Sequence, residues 1–298
     1  MAGDPLSGVI IRSGAVRLPT VGYILACDPK REENDVQHTI SFTWKAGKFN
    51  RGEANFSAHS CCIVQEPEPG LVKVGGSGSY SIETQRGVTP GNIFGDSKPP
   101  ATEPRFGEIR SSAEIAGKAY AVGLRGIVYR MDKLKQWTRI DEGLPPTFNG
   151  QAIHGYGPSD IYAVGRRGEV WHWDGRAWTE CEVPSNGNLY SVQCAENGTV
   201  YIGGHGGILI QGRESKWAVI EQRGATADVW DLEWFSGELF VSTMSGLFRL
   251  KSGQLKLVDF GTDVPRTTYH LSAAKDVLWS VGRKDVMSFD GKKWNRVV

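Results

Sequence analysis

Residues 161–178 read IYAVGRRGEVWHWDGRAW, and the architecture of the whole chain follows from what these eighteen residues form. A short apolar run leads into Gly-Arg-Arg-Gly. A second run with aromatics follows, then Asp-Gly and a closing Trp. Taken alone, two arginines between glycines suit a phosphate loop, an active site or a hairpin tip. A phosphate loop needs a helix after the glycines to present its N–H groups, and the residues that follow alternate as a strand does.

The pattern recurs. Stretches of the same form begin at Leu71, Tyr120, Tyr162, Tyr201, Phe240 and Trp279, with the first turn position at Gly75, Gly123, Gly165, Gly204, Thr243 and Gly282. The intervals are 48, 42, 39, 39 and 39 residues, so the chain is an array of units of about forty residues. A second marker keeps step: Trp137, Trp178, Trp217 and Trp294 follow the second turn position by nine to eleven residues, and the fifth copy places Leu255 and Leu257 there. In the copy quoted above, strands are expected at Gln151–Tyr156, Ile161–Val164, Glu169–Trp173 and Trp178–Val183. No segment carries a sustained helical period. Four short strands per forty-residue unit specify an all-β fold, a β-propeller of four-stranded blades.

The C-terminal unit, from Tyr269, holds four strand-like runs of its own, and residues 1–58 hold GVIIRS, VGYILAC and HTISFTW around the polar insertion DPKREENDVQ. Counting 1–58 as a diverged first blade gives seven four-stranded blades in one domain over 1–298. Six blades with an N-terminal appendage is the other count. Residues 91–108, rich in Pro and Gly, are expected as a long exposed loop between blades.

The glycine that closes each tip is expected in the left-handed region after a type I turn, with Asp285 in that role in the last copy. Asp174-Gly175 and Asp290-Gly291 read as the hairpin between the third and fourth strands. The motif YAVGxxGxVWHWDGxxW resembles the bacterial propellers built from neuraminidase-type (Asp-box) repeats and those of the photosystem-assembly-factor type. The likeness covers residues 109–298 well and is recognisable from about residue 60. These copies lack the leading Ser and the Thr of the Asp-box pattern. The resemblance implies a binding or assembly module more than an enzyme. Assembly factor, or immunity protein plugging a toxin's active site, are the roles it suggests.

Composition narrows the partners. The formal net charge is +1, from 34 Lys and Arg against 33 Asp and Glu, so nothing global calls for nucleic acid or an anionic membrane. Five cysteines and a start without a secretory pattern suggest reduced thiols and a cytoplasmic protein. In a blade the connection between strands two and three emerges at the same end as the connection to the next blade, so the repeated tips are expected around one mouth. Their cations are Arg125, Arg166, Arg167, Arg283 and Lys284, with His205 as a titratable sixth. These six are the candidate partner-binding residues, suited to a protein with an acidic surface or an anion-binding site. Asp141, Glu142, Asp228 and Asp263 lie close enough in sequence to neutralise them. Phe148, Trp230 and Tyr269 read as buried openings of inner strands, with binding anchors as the other reading.

Catalysis has little support. A neuraminidase-like glycosidase needs an arginine cluster, an acid and an activated Tyr, and Tyr162 and Tyr201 sit in repeated strand positions. A glycosidase or lectin-like carbohydrate binder remains the alternative class, marked by carboxylates converging at the mouth. The histidines lack metal-ligand spacing, and His59–Cys62 is the only local cluster. No metal or cofactor is expected.

Overall fold

A computed structural model describes residues 5–95, 108–222 and 225–298. The chain is an all-β propeller of seven four-stranded antiparallel blades. Blade 1 comprises β1 (Ile10–Leu18), β2 (Val21–Cys27), β3 (Thr39–Lys45) and β4 (Lys48–Ala54), with a short helix, α1 (Pro29–Glu33), between β2 and β3. Blade 2 follows with β5 (Ala58–Val64), β6 (Gly70–Gly75), β7 (Ser79–Thr84) and β8 (Gly87–Asn92). Blade 3 has β9 (Ile109–Ile115), β10 (Lys118–Gly123), β11 (Val128–Lys133) and β12 (Gln136–Arg139). The quoted stretch lies in blade 4, which has β13 (Gly150–Gly157), β14 (Asp160–Gly165), β15 (Val170–Trp173) and β16 (Trp178–Glu180). Blade 5 is β17 (Leu189–Cys194), β18 (Val200–Gly204), β19 (Leu209–Arg213) and β20 (Lys216–Val219). Blade 6 is β21 (Asp231–Phe235), β22 (Glu238–Ser242), β23 (Leu247–Lys251) and β24 (Gln254–Leu257). Blade 7 is β25 (His270–Ala274), β26 (Val277–Val281), β27 (Val286–Phe289) and β28 (Trp294–Arg296). Of the segment 91–108, Gly91 and Asn92 belong to β8, Ile93 is buried, and 96–107 lie outside the described residues.

The described residues form two compact units. One contains 58–205 and 209–219, which carry blades 2 to 5. Its core runs between neighbouring sheets. Val72, Val74, Tyr80 and Ile82 of blade 2 pack with Ala119, Ala121, Tyr129 and Met131 of blade 3. Tyr120 and Val122 pack in turn with Ile153, Ile161, Trp171 and Trp178 of blade 4. The second strands, β6, β10, β14 and β18, are buried almost throughout, which is why they read as near-continuous apolar runs. The outer-strand tryptophans seal the seams. Trp178 is buried and donates its indole N–H to Ile140 O of the preceding blade at 2.6 Å, Trp137 meets Tyr80 edge-on at 5.4 Å, and Trp217 meets Tyr162 at 6.0 Å.

The other unit contains 1–57, 206–208 and 220–298, which carry blades 6, 7 and 1. Blade 7 is complete without a strand from the N-terminus, and the first blade packs face to face on the last. Leu6, Val9, Ile11, Ile24 and Phe42 share a core with Val277, Trp279, Val281 and Val286. Trp279 is fully buried and meets Trp44 at 5.6 Å. Gly22 leaves the space its indole fills: a Cβ there would lie 2.0 Å from the ring.

Candidate functional site

In the unit of blades 2 to 5, each tip is locked to the backbone leading into its own blade and the next. Leu124 N–H donates to Glu108 O at 2.9 Å, and Gly126 N–H to Phe148 O at 2.8 Å. Arg166 N–H reaches Asn149 O at 3.3 Å, Arg167 N–H reaches Asn188 Oδ1 at 3.2 Å, and His205 N–H reaches Asn188 O at 2.8 Å. Tips and inter-blade connections therefore share one end. Arg125, Arg166, Arg167 and His205 are all exposed there.

The tip conformation differs from the expected one. Arg125 (φ 64°) and Arg167 (φ 59°) are left-handed, as are the glycines that follow them, Gly126 and Gly168. Gly168, at φ +75°, would place a Cβ 2.1 Å from Ser185 O, so that position accepts nothing else. Blade 5 has Gly206 (φ 65°) where blade 4 has Arg167. The loop geometry thus selects a left-handed residue, and two blades fill it with arginine at a cost of about 1–2 kcal/mol. Asp285, expected in this conformation, is not left-handed. It is buried instead, accepting the Arg266 N–H at 2.9 Å and pairing with the Arg296 guanidinium.

Three of the four acids expected to neutralise the tips have partners, Asp228 at the blade 5 tip itself. Asp141 pairs with Arg139, Asp263 with Arg296 at 2.6 Å, and Asp228 accepts the Gly206 N–H at 2.8 Å. Arg167, two-thirds exposed, has Glu169 at 3.7 Å. Arg166 and Arg283 are exposed, and neither has an ion-pair partner among the described residues.

In the unit of blades 6, 7 and 1, the tips are built the same way. Trp230 N–H donates to Ser242 O at 2.9 Å, Tyr269 N–H to Val281 O at 3.1 Å, and Arg283 N–H to Thr267 Oγ1 at 2.9 Å. Lys284 donates its ammonium to Val9 O at 2.6 Å and Ile11 N–H reaches Arg283 O at 3.0 Å, so this tip also ties blade 7 to blade 1. Phe148 in the other unit is buried as expected, but Trp230 and Tyr269 are only half-buried. Their rings lie 5.4 Å apart.

Blade 1 contributes the element that the sequence reading left as a polar insertion. Asp28 caps α1 by accepting the Lys30 N–H at 2.9 Å, with Pro29 at the first helical position. That Asp-Pro pair is the signal by which the helix was legible. Glu32 of α1 pairs with Arg12 of β1, whose Nε donates to Cys27 Sγ at 3.3 Å. The Tyr269 phenol is pushed up by burial and by the Asp231 carboxylate, against the pull of Arg12 and Arg283.

Groups that would mark catalysis have structural work. Asp231 accepts the Leu271 N–H at 2.9 Å and Glu233 the Ala273 N–H at 3.2 Å, so both carboxylates bridge β21 to β25. Burial, then Asp231, pushes the Glu233 carboxyl up to about 8, although the side chain keeps partial exposure. Tyr162 is fully buried and its oxygen accepts the Glu214 N–H at 3.5 Å, while the Tyr201 oxygen accepts from Asn197 at 3.3 Å. His59, Cys61 and Cys62 lie within β5, with Cys62 buried. Among the described residues, no three His, Cys, Asp or Glu side chains group as a metal site. No helix is long and apolar enough to cross a membrane.

Immune protein Tsi7 of Pseudomonas aeruginosa is 35% identical to this chain over 298 residues, covering 96% of each. The chain belongs to the Tsi7 family. No protein-family model matches it. Two solved structures share the fold with this Tsi7 relative at low identity. Virginiamycin B lyase from Staphylococcus aureus superposes with a TM-score of 0.72 at 9% identity over 94% of both chains. YCF48 bound to D1 peptide gives 0.67 at 14% identity over 94% of this chain and 91% of that one. The propeller fold read from the repeats therefore holds, with a YCF48 structure among the neighbours, whereas these comparisons do not show the expected neuraminidase-type (Asp-box) kinship.

Proposed function

We propose that this chain is a cytoplasmic immunity protein that binds a toxin protein and blocks it, without chemistry of its own. The observation that carries this reading is the Tsi7 relative, named as an immune protein and matched over 96% of both chains. The partner presents an acidic surface or an anion-binding site to the exposed tip arginines. Arg166 and Arg283 have charge to give, since neither has an ion-pair partner among the described residues, and Asp141 and Asp263 are held by Arg139 and Arg296. Opposite charge on the two proteins speeds encounter and orients it. The carbohydrate reading has no comparable support, because Asp231 and Glu233 are spent on β25.

The test uses the purified toxin encoded beside this chain's own gene. The wild-type chain should bind it and protect cells that express it. Replacing Arg166, Arg167 and Arg283 together by Glu should leave the unfolding temperature unchanged and slow association at low salt by about tenfold or more. A wild-type chain that neither binds nor protects overturns the proposal.

A further inference from the structure

We propose that Trp230 and Tyr269 are the anchor of the partner surface in the unit of blades 6, 7 and 1, receiving an apolar side chain of the toxin that is flanked by carboxylates. This deepens the immunity reading and rests on it.

The two aromatic residues open consecutive inner strands at the end of the unit where the tips lie, which their backbone bonds to Ser242 and Val281 establish. Both keep partial exposure, and their rings meet at 5.4 Å. A half-covered Trp beside a half-covered Tyr leaves apolar area in water that a partner removes. Large rigid rings do this at low entropic cost, and Trp, Tyr and Arg dominate the energetics of protein interfaces.

The surroundings specify the charge of the occupant. Arg283 and Arg266 are exposed, and neither has an ion-pair partner among the described residues. Arg283 and Arg12 act electrostatically on the Tyr269 phenol, opposed by the Asp231 carboxylate. Asp263 and Asp285 are paired with Arg296, whereas Asp231 accepts the Leu271 N–H and keeps its charge beside Tyr269. An apolar pair bordered by two exposed arginines without ion-pair partners fits a segment of a protein with an apolar side chain at its centre and carboxylates beside it.

Arg12 is a positioning residue in this arrangement. Its guanidinium is fixed by Glu32 of α1 and by Cys27 Sγ, so α1 is held over the start of β1. The insertion between β2 and β3 is therefore a braced element at the start of β1, next to the blade 7 tip that Ile11 meets through Arg283 O.

The anchor and the tip charges act on different rate constants, and that makes the proposal separable. Charge on the tips sets association, whereas a desolvated anchor sets dissociation. With the same purified toxin, Trp230→Ala and Tyr269→Ala should each raise the dissociation rate by about tenfold or more and leave association and its salt dependence unchanged. Thermal unfolding checks that each variant is folded. Should an alanine variant unfold, Trp230→Leu and Tyr269→Leu take its place, and hydrogen exchange on the wild-type complex gives a second measure: amides 225–231 and 266–270 should gain protection on binding. A wild-type chain that binds while the aromatic variants dissociate at its own rate, or while those amides gain no protection, overturns the anchor and spares the immunity reading. A wild-type chain that does not bind overturns both.

Discussion

At the scale of the residue, the informative positions are those where the chain accepts a cost. Arg125 and Arg167 occupy left-handed backbone that Gly206 occupies freely in blade 5. A loop selected for stability alone would place glycine at each. Under the proposed binding role the arginine side chain offsets that cost outside the fold, and a glycine variant separates the two contributions. Arg167→Gly should relieve about 1–2 kcal/mol of backbone strain. Against that stand the greater freedom of glycine in the unfolded chain, about 0.5–1 kcal/mol, and the loss of a weak exposed pair with Glu169. Urea denaturation should find the variant at least as stable as the wild type, while association with the toxin at low salt slows. A loss of more than about 1 kcal/mol would mean that the loop does not impose this conformation.

At the scale of the element, inner strands are joined across blades by carboxylates that take main-chain N–H groups. Asp231 and Glu233 reach Leu271 and Ala273 on β25 in this way. Burial raises the Glu233 carboxyl to about 8, well above its value in the unfolded chain, about 4.3. A raised acid binds its proton more tightly in the folded state. Its contribution is therefore complete below the unfolded value and is lost as pH climbs through about 8. Thermal unfolding of the wild type should show stability falling between about pH 5 and 8, and Glu233→Gln, which cannot ionise, should flatten that fall. Equal slopes in the two proteins would remove Glu233 from the pH response. The elements themselves were largely legible. In blade 4, three strands begin within one residue of their expected starts and β16 starts at Trp178 as read, because alternation, Gly and Asp punctuate them. What sequence missed was conformation and partnership. Asp285 and Gly168 hold the same repeat position, yet one is a buried carboxylate paired with Arg296 and the other a left-handed glycine. Nothing local separates the two, since the difference lies in a strand eleven residues away. The tip cations were legible by register, whereas the partial exposure of Trp230 and Tyr269 depends on what covers them and was not.

At the scale of the whole molecule, the regular forty-residue step marked six blades and left the seventh to the strand-like runs of residues 1–58, so the junction between first and last blades is where the count is physically at stake. Blade 7 borrows no strand from the N-terminus, so the ends of the chain are joined by packing. Its centre is Trp279, fully buried against Trp44 and the backbone of Gly22. Gly22→Ala forces a methyl group into the indole and should cost about 1–3 kcal/mol. Trp279→Ala empties the same space and should cost about 3–5 kcal/mol. In the double variant the new methyl group occupies volume that the indole has vacated, so the clash disappears. The combined loss should fall short of the sum by about 1 kcal/mol or more, as neighbours that share a cavity do. Urea denaturation of the four proteins completes the cycle. Strict additivity would mean that residues 257 positions apart do not touch, and that the first blade does not rest on the last.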